Sequence, residues 1–298
     1  MRHLSLIALA LATPLAAMSQ TTVFSDNFTT DSSLGSEWYN MTNSSSVTTV
    51  LNPTAGQGLD LTNTAGSTGK TDEEFAKFAA TPVTLATAGD YLSLTVNFNS
   101  FNVSGNTGGL LVGLYNTQGT VATGNLLATG TGGATADDTG YFGIMGFNTS
   151  AGTSTKFYSR QGGASDANEL GYYSSMTANS FTQVGSSFAA TGNGNLANST
   201  AYTLIYTVTL GSGGTTNTFV IDQGATVVDS WSVTDASNTN NVFNELDFGD
   251  YGHNAAIDMN ISSIQVVDDI QAVPEPSTIA LSGIALAGLA IRRRWMRK

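Results

Sequence analysis

Three carboxylates stand within six residues in Glu245-Leu246-Asp247-Phe248-Gly249-Asp250. Side chains of a β-strand alternate between its two faces, so a strand here sets Glu245 and Asp247 side by side. One of them is then placed to act as a nucleophile and the other to orient it. Retaining hydrolysis of a glycoside uses two carboxyls about 5–5.5 Å apart across the sugar bond. The plainer expectation for the same residues is a penultimate strand, with Val242, Leu246 and Phe248 packed inward and the acids facing water.

Aromatic residues offer a second chemistry. A Trp or Tyr on a shallow sheet face stacks on the apolar side of a sugar, while Asn and Asp bond its hydroxyls. Trp38, Tyr39, Tyr172, Tyr173, Trp231 and Tyr251 are the candidates. Trp38 and Trp231 fall where a sandwich buries an aromatic. That leaves Tyr172, Tyr173 and Tyr251 as the expected ligand contacts. No cofactor is expected, except that Asp26 and Asp258 would suit a Ca²⁺ tying the terminal strands together. Such an ion needs six to eight oxygens, and no EF-hand spacing supplies them. The chain has no cysteine, which excludes thiolate metal sites, thiol nucleophiles and redox chemistry. Its Gly-rich loops lack the lysine of a phosphate-binding loop.

The elements that position these residues read as strands. Leu92, Leu94, Val96 and Phe98 alternate with Tyr91, Ser93, Thr95 and Asn97. Tyr202, Leu204, Tyr206, Val208 and Leu210 repeat the pattern. Further strands are predicted over Val47–Leu51, Leu110–Tyr115, Tyr141–Phe147, Phe157–Arg160, Thr218–Ile221, Thr226–Val233, Val242–Phe248 and Ile257–Val267. Gly- and Asn-rich punctuation separates them. Thr71-Asp72-Glu73-Glu74 has the spacing of a helix capping box, but alternation over Phe75–Phe78 before Pro82 favours a strand. Short strands without helical alternation predict an all-β, antiparallel two-sheet sandwich.

Charge narrows the partners. Of 22 acidic residues only Glu275 lies in the last stretch, and six of the ten basic residues lie in the two ends. The middle of the chain therefore holds 21 acids against Lys70, Lys77, Lys156 and Arg160, a net charge near −17. Such a surface repels phosphate backbones, so nucleic acid is not a partner.

The two ends are compositionally foreign to that middle. Residues 1–19 carry Arg2 and His3, an apolar core from Leu4 to Leu15, and a small-x-small site at Ala17-Met18-Ser19. They form a secretory signal peptide. Residues 20–272 are the expected sandwich domain. Residues 273–298 begin with the stiff Pro274-Glu275-Pro276 (motif 273–277), whose prolines hold the backbone extended. An apolar run over 278–291 follows, and a basic stretch over 292–298 contains Arg292, Arg293 and Arg294. Fourteen helical residues rise roughly 21 Å, short of the roughly 30 Å hydrocarbon core. The snorkelling basic stems lengthen that reach, giving a single membrane helix.

This last arrangement resembles the PEP-CTERM sorting signal of exported bacterial proteins. The resemblance implies recognition at Pro274, Glu275 and Pro276 by an exosortase-type membrane protease, and a chain anchored in the inner membrane until it is processed. It further implies an address in the cell envelope or extracellular matrix. Phe24-Ser25-Asp26-Asn27-Phe28, Gly35-Ser36-Glu37-Trp38 and Asn244–Gly249 look like pieces of concanavalin A-like (laminin G-like) jelly rolls, which implies that architecture. Glu245-x-Asp247-x-x-Asp250 also resembles the E-x-D-x-x-E strand of laminarinase-type glycoside hydrolases, with Asp250 in place of the acid/base Glu. Two functions stand open on this reading: a structural or polysaccharide-interacting module, and a polysaccharide hydrolase working through Glu245 and Asp247.

Overall fold

The computed structural model of the protein describes residues 20–31, 33–42, 47–52, 58–63, 71–101, 108–119, 126–127, 137–146, 155–162, 181–188, 196–237, 240–251 and 257–270. Among these every regular element is a β-strand. In chain order they are β1 (Thr21–Asp26), β2 (Trp38–Thr42), β3 (Val47–Asn52), β4 (Gly58–Asn63), β5 (Thr71–Lys77), β6 (Val83–Thr84), β7 (Tyr91–Phe101), β8 (Gly109–Asn116) and β9 (Leu126–Leu127). The series continues with β10 (Thr139–Gly146), β11 (Thr155–Gln161), β12 (Phe181–Phe188), β13 (Thr200–Gly211), β14 (Gly214–Gln223), β15 (Thr226–Asp235), β16 (Val242–Phe243), β17 (Glu245–Tyr251) and β18 (Ile257–Asp269). Residues Gln20–Ile270 form one compact unit. The signal peptide, the Pro-Glu-Pro motif, the expected membrane helix and the basic tail lie outside the described residues.

One sheet runs β15-β14-β13-β7-β18-β4-β3, with β1 added against β18, and the other runs β12-β11-β10-β8-β17-β5-β2-β9. A small third sheet pairs β16 with β6. Every pairing is antiparallel except the short β2–β9 contact. The chain passes repeatedly from sheet to sheet, as between β4 and β5, β7 and β8, and β17 and β18. This is the jelly-roll sandwich that the sequence predicts.

Alternation explains how the two sheets close on each other. Tyr202, Leu204, Tyr206 and Val208 of β13 are buried, whereas Thr203, Ile205, Thr207 and Thr209 are half-buried on the far face. Phe219, Trp231, Leu94, Val96 and Ile264 join them from neighbouring strands. They meet Val112, Leu114, Tyr141, Phe157, Leu246 and Phe248 of the opposite sheet. Ring contacts bridge the layers at Phe157–Phe219 (4.9 Å between centroids) and Phe98–Phe248 (6.0 Å). Gly143 keeps the layers close, since a Cβ there would run into the Phe219 ring. Each fully buried side chain of this size contributes roughly 1.5–3 kcal/mol, so the interlayer core supplies most of the driving force.

Two local features refine the expectations. Thr71–Lys77 is a strand, because β17 and β2 pair with it on both sides and satisfy its backbone. The single strand expected over Val242–Phe248 is interrupted at Asn244. That buried amide accepts from the Thr117 N–H at 2.9 Å and donates to the Thr117 hydroxyl at 3.0 Å, tying the end of β8 to the start of β17.

Candidate functional site

β17 lies in the middle of its sheet, between β5 and β8. Leu246 and Phe248 point into the interlayer core, and alternation therefore sends Glu245 and Asp247 to the opposite, outer face. Register builds that face in rows. Glu245 stands between Lys77 and Tyr115, and the row continues through Gly140 and Arg160 to Phe181. Asp247 stands between Phe75 and Gly113, flanked further out by Tyr39 on one side and by Phe142 and Tyr158 on the other.

Aromatic rings pave this face. Tyr39 stacks on Phe75 at 5.0 Å, and Phe142 stacks on Tyr158 at 5.1 Å. The ring of Tyr115 lies over Gly113, where a Cβ would collide with it. Together with Leu111 and Ile144 these residues form a second buried cluster, separate from the interlayer core. The outer face of this sheet is thus closed, and the acids on it do not face water. Glu245 and Asp247 are both 0 % exposed.

Burial sets their charge. The Tyr39 hydroxyl donates to Glu245 Oε1 at 2.5 Å. Burial pushes the Glu245 carboxyl up to about 7, while the Tyr39 hydrogen bond and the charges of Lys77 and Arg160 hold it from rising further. Asp138 is raised to about 9 by burial and by the Glu245 charge, against the pull of Arg160. Asp247 is held well above the usual carboxylate range by burial, then by Glu73, Glu245 and Glu74. Among the described residues no group hydrogen-bonds either oxygen of Asp247. Arg160 is itself fully buried, donates from Nε to the Asp138 carbonyl at 3.1 Å, and sits 4.9 Å over the Phe181 ring. Burial therefore favours the protonated form of all three carboxyls, Asp138, Glu245 and Asp247. A group kept neutral is a poor nucleophile.

The third carboxylate of the motif goes elsewhere. β17 pairs without a bulge from Glu245 to Tyr251, so Asp250 shares the parity of Leu246 and Phe248 and faces the interlayer side. It is fully buried there, opposite Asp72, and burial followed by the charges of Asp72 and Glu73 pushes it well up. Gly249, which has no side chain, occupies the position that shares a face with Glu245 and Asp247. The structure therefore brings two of the three carboxylates together and turns the third away.

The remaining candidates are scattered. Trp38 and Trp231 are buried in the interlayer core, and the Trp38 indole donates to Asp26 at 2.6 Å. Tyr39 is buried on the outer face. Tyr172, Tyr173 and the side chain of Tyr251 lie outside the described residues. Asp26 pairs with Ile264 and Asp258 with Thr62, so the two sit six positions apart along β18, roughly 20 Å. They are not brought to one ion. Asp258 instead faces Asp60, and Asp26 faces Asp31 and Glu37; burial and these like charges raise each to about 6. Among the described residues no three acidic or imidazole side chains converge in a group able to hold a metal. The first motif did not reveal Asp138 or Arg160. The signal available was scarcity, because Arg160 is one of only four basic residues in the middle of the chain.

Open surface in the other sheet has a different character. On the far face of β14 and β15, Thr216 pairs with Thr234 at 2.8 Å and Thr218 with Ser232 at 3.0 Å, forming uncharged hydroxyl ladders.

Residues 272–294 match the PEP-CTERM protein-sorting motif. The chain accordingly carries the signal of an exported protein sorted to the cell envelope. No curated protein matches its sequence. Among solved structures it is similar to the winged bean acidic lectin complexed with methyl-α-D-galactose, at 12 % identity over 85 % of this chain and 100 % of that one, with a TM-score of 0.46. It is similar also to the VIP36 exoplasmic/lumenal domain in its Ca²⁺/mannose-bound form (12 % identity, 86 % and 93 % covered, TM-score 0.44). A third is the Emp47p carbohydrate recognition domain (14 % identity, 85 % and 97 % covered, TM-score 0.42).

Proposed function

We propose that the chain is a non-catalytic, carbohydrate-interacting or structural protein of the cell envelope or extracellular matrix. An exosortase-type protease recognises Pro274, Glu275 and Pro276 after export, while the apolar run over 278–291 and the basic residues Arg292, Arg293 and Arg294 hold the chain in the inner membrane. In this reading residues 1–19 are removed on export and residues 20–272 are the delivered module. The match at residues 272–294 supports the address.

The geometry of β17 carries the non-catalytic half of the reading. A hydrolase built on this strand needs an ionised nucleophile and a proton donor on one accessible face. Here Glu245 and Asp247 are fully buried and Asp250 points to the other side of the sheet. The hydroxyl ladders of β14 and β15 suit polyhydroxylated partners. Two assays on the purified full chain test the proposal. A glycan array is expected to give binding to neutral polysaccharide, and incubation with β-glucans is expected to release no reducing sugar. Sugar release that Glu245→Gln abolishes would instead establish the hydrolase.

A further inference from the structure

β12 ends one sheet and β15 ends the other, so the sandwich has an open side where the two edge strands approach each other. A cleft of about 440 Å³ lies there, lined by Ser159, Gln161, Thr182, Gln183, Asp235 and Ser237. A volume in this range is that of a small-molecule site. Its width is fixed by Gly185 on β12, whose φ is +67° and whose missing Cβ would stand 2.6 Å from Val233 Cγ2 on β15. At its base Asp235 is held in place. Its Oδ1 accepts from the Ser237 N–H at 2.9 Å, and its Oδ2 accepts from the Tyr141 hydroxyl at 3.4 Å.

The lining defines the ligand. Hydroxyls and amides from Ser159, Gln161, Thr182, Gln183 and Ser237 can both donate and accept, and Asp235 adds a carboxylate acceptor. Among the described lining residues there is no Lys, Arg or His and no aromatic ring. An anion would meet the Asp235 carboxylate, which no basic residue of the described lining offsets, and an apolar molecule would leave this many polar groups unmatched. A neutral molecule dense in hydroxyls meets every requirement.

Resting on the carbohydrate-interacting reading above, we propose that this edge cleft, and not the closed face around Glu245, binds one or two neutral sugar residues of a polysaccharide. Ligand and protein bond through hydroxyl, amide and the Asp235 carboxylate. Uronic-acid chains are excluded by charge.

Calorimetric titration of the full chain in mild detergent tests this, with laminarihexaose, cellohexaose and mannohexaose as probes and an oligogalacturonate of the same length as the charged comparison. At least one neutral probe is expected to bind and the oligogalacturonate is not. Ala236→Trp fills the cleft from its exposed rim and is expected to weaken binding at least tenfold. Thr182→Val removes one exposed hydroxyl at constant shape and is expected to weaken it severalfold. Thr182→Val carries the test alone where the larger substitution disturbs folding. A neutral probe bound equally by wild type and both variants overturns the cleft while leaving carbohydrate binding intact. No binding of any glycan, on the array or in titration, removes the cleft together with the carbohydrate-interacting reading and leaves a structural role. Preference for the oligogalacturonate overturns the neutral-ligand assignment.

Discussion

Replacing Glu245 with Gln should make the protein more stable, and only at neutral and alkaline pH. The fold raises this carboxyl from its ordinary 4.5 to about 7, chiefly by burial. The folded chain thus holds the proton more tightly than the unfolded chain does. The stability contributed by that proton is complete below about pH 4.5, declines as pH rises, and is gone above about pH 7. A rise from 4.5 to about 7 corresponds to about 3 kcal/mol, at about 1.36 kcal/mol for each tenfold gain in proton affinity. Gln keeps an oxygen to accept from the Tyr39 hydroxyl and never ionises. At about pH 4 variant and wild type should unfold within about 1 kcal/mol of each other, and at about pH 8 the variant should be ahead by about 3 kcal/mol. Urea titrations followed by tryptophan emission would show this, since Trp38 and Trp231 are both buried. A difference that stays flat with pH, or a variant that loses ground as pH rises, refutes the reasoning.

Three further outcomes are expected. Tyr39→Phe removes the hydrogen bond that restrains the Glu245 shift, so the falling limb of stability should move to higher pH in the same titration; movement to lower pH would contradict the assignment. Gly143→Ala drives a methyl into the Phe219 ring and should cost about 1–3 kcal/mol in urea, whereas a neutral result would mean the sheets are not held as close as described. Changing Pro274, Glu275 and Pro276 together to Ala should leave an uncut, membrane-retained precursor on a gel, and normal processing would remove the sorting assignment.

The sandwich was legible where one face of a strand is apolar without interruption. β7 and β13 are of this kind, while β18 switches its apolar face at a bulge between Ile261 and Ser263; the expected limits of all three differ from the observed ones by a few residues. β12 was not legible because Gly185, with its positive φ, and an irregular register against β11 break the alternation of Phe181 and Val184. β4 offers only Leu59 and Leu61 as its buried apolar pair. In the candidate site, period-two spacing placed Glu245 and Asp247 on one face, as observed. Spacing alone could not reveal that this face is closed, because the covering rings come from β2, β5, β8, β10 and β11, distant in the chain. Asp250 shows the reverse: its position follows from parity once the strand is known to lack a bulge.

β18 has a consequence for the order of events in the life of the chain. It is the last described strand, yet it pairs with β7 along its length, with β4 through its first half and with β1 through its second. Without it, one layer falls into a β15-β14-β13-β7 piece and a β4-β3 piece that no hydrogen bonds join. The sorting motif begins at residue 272, three residues beyond Asp269. On the proposed export led by residues 1–19, that layer cannot zip up until the segment adjoining the motif has also crossed. On that proposal, maturation of the passenger and presentation of its address are timed together, because the final staple and the motif become available within a few residues of each other.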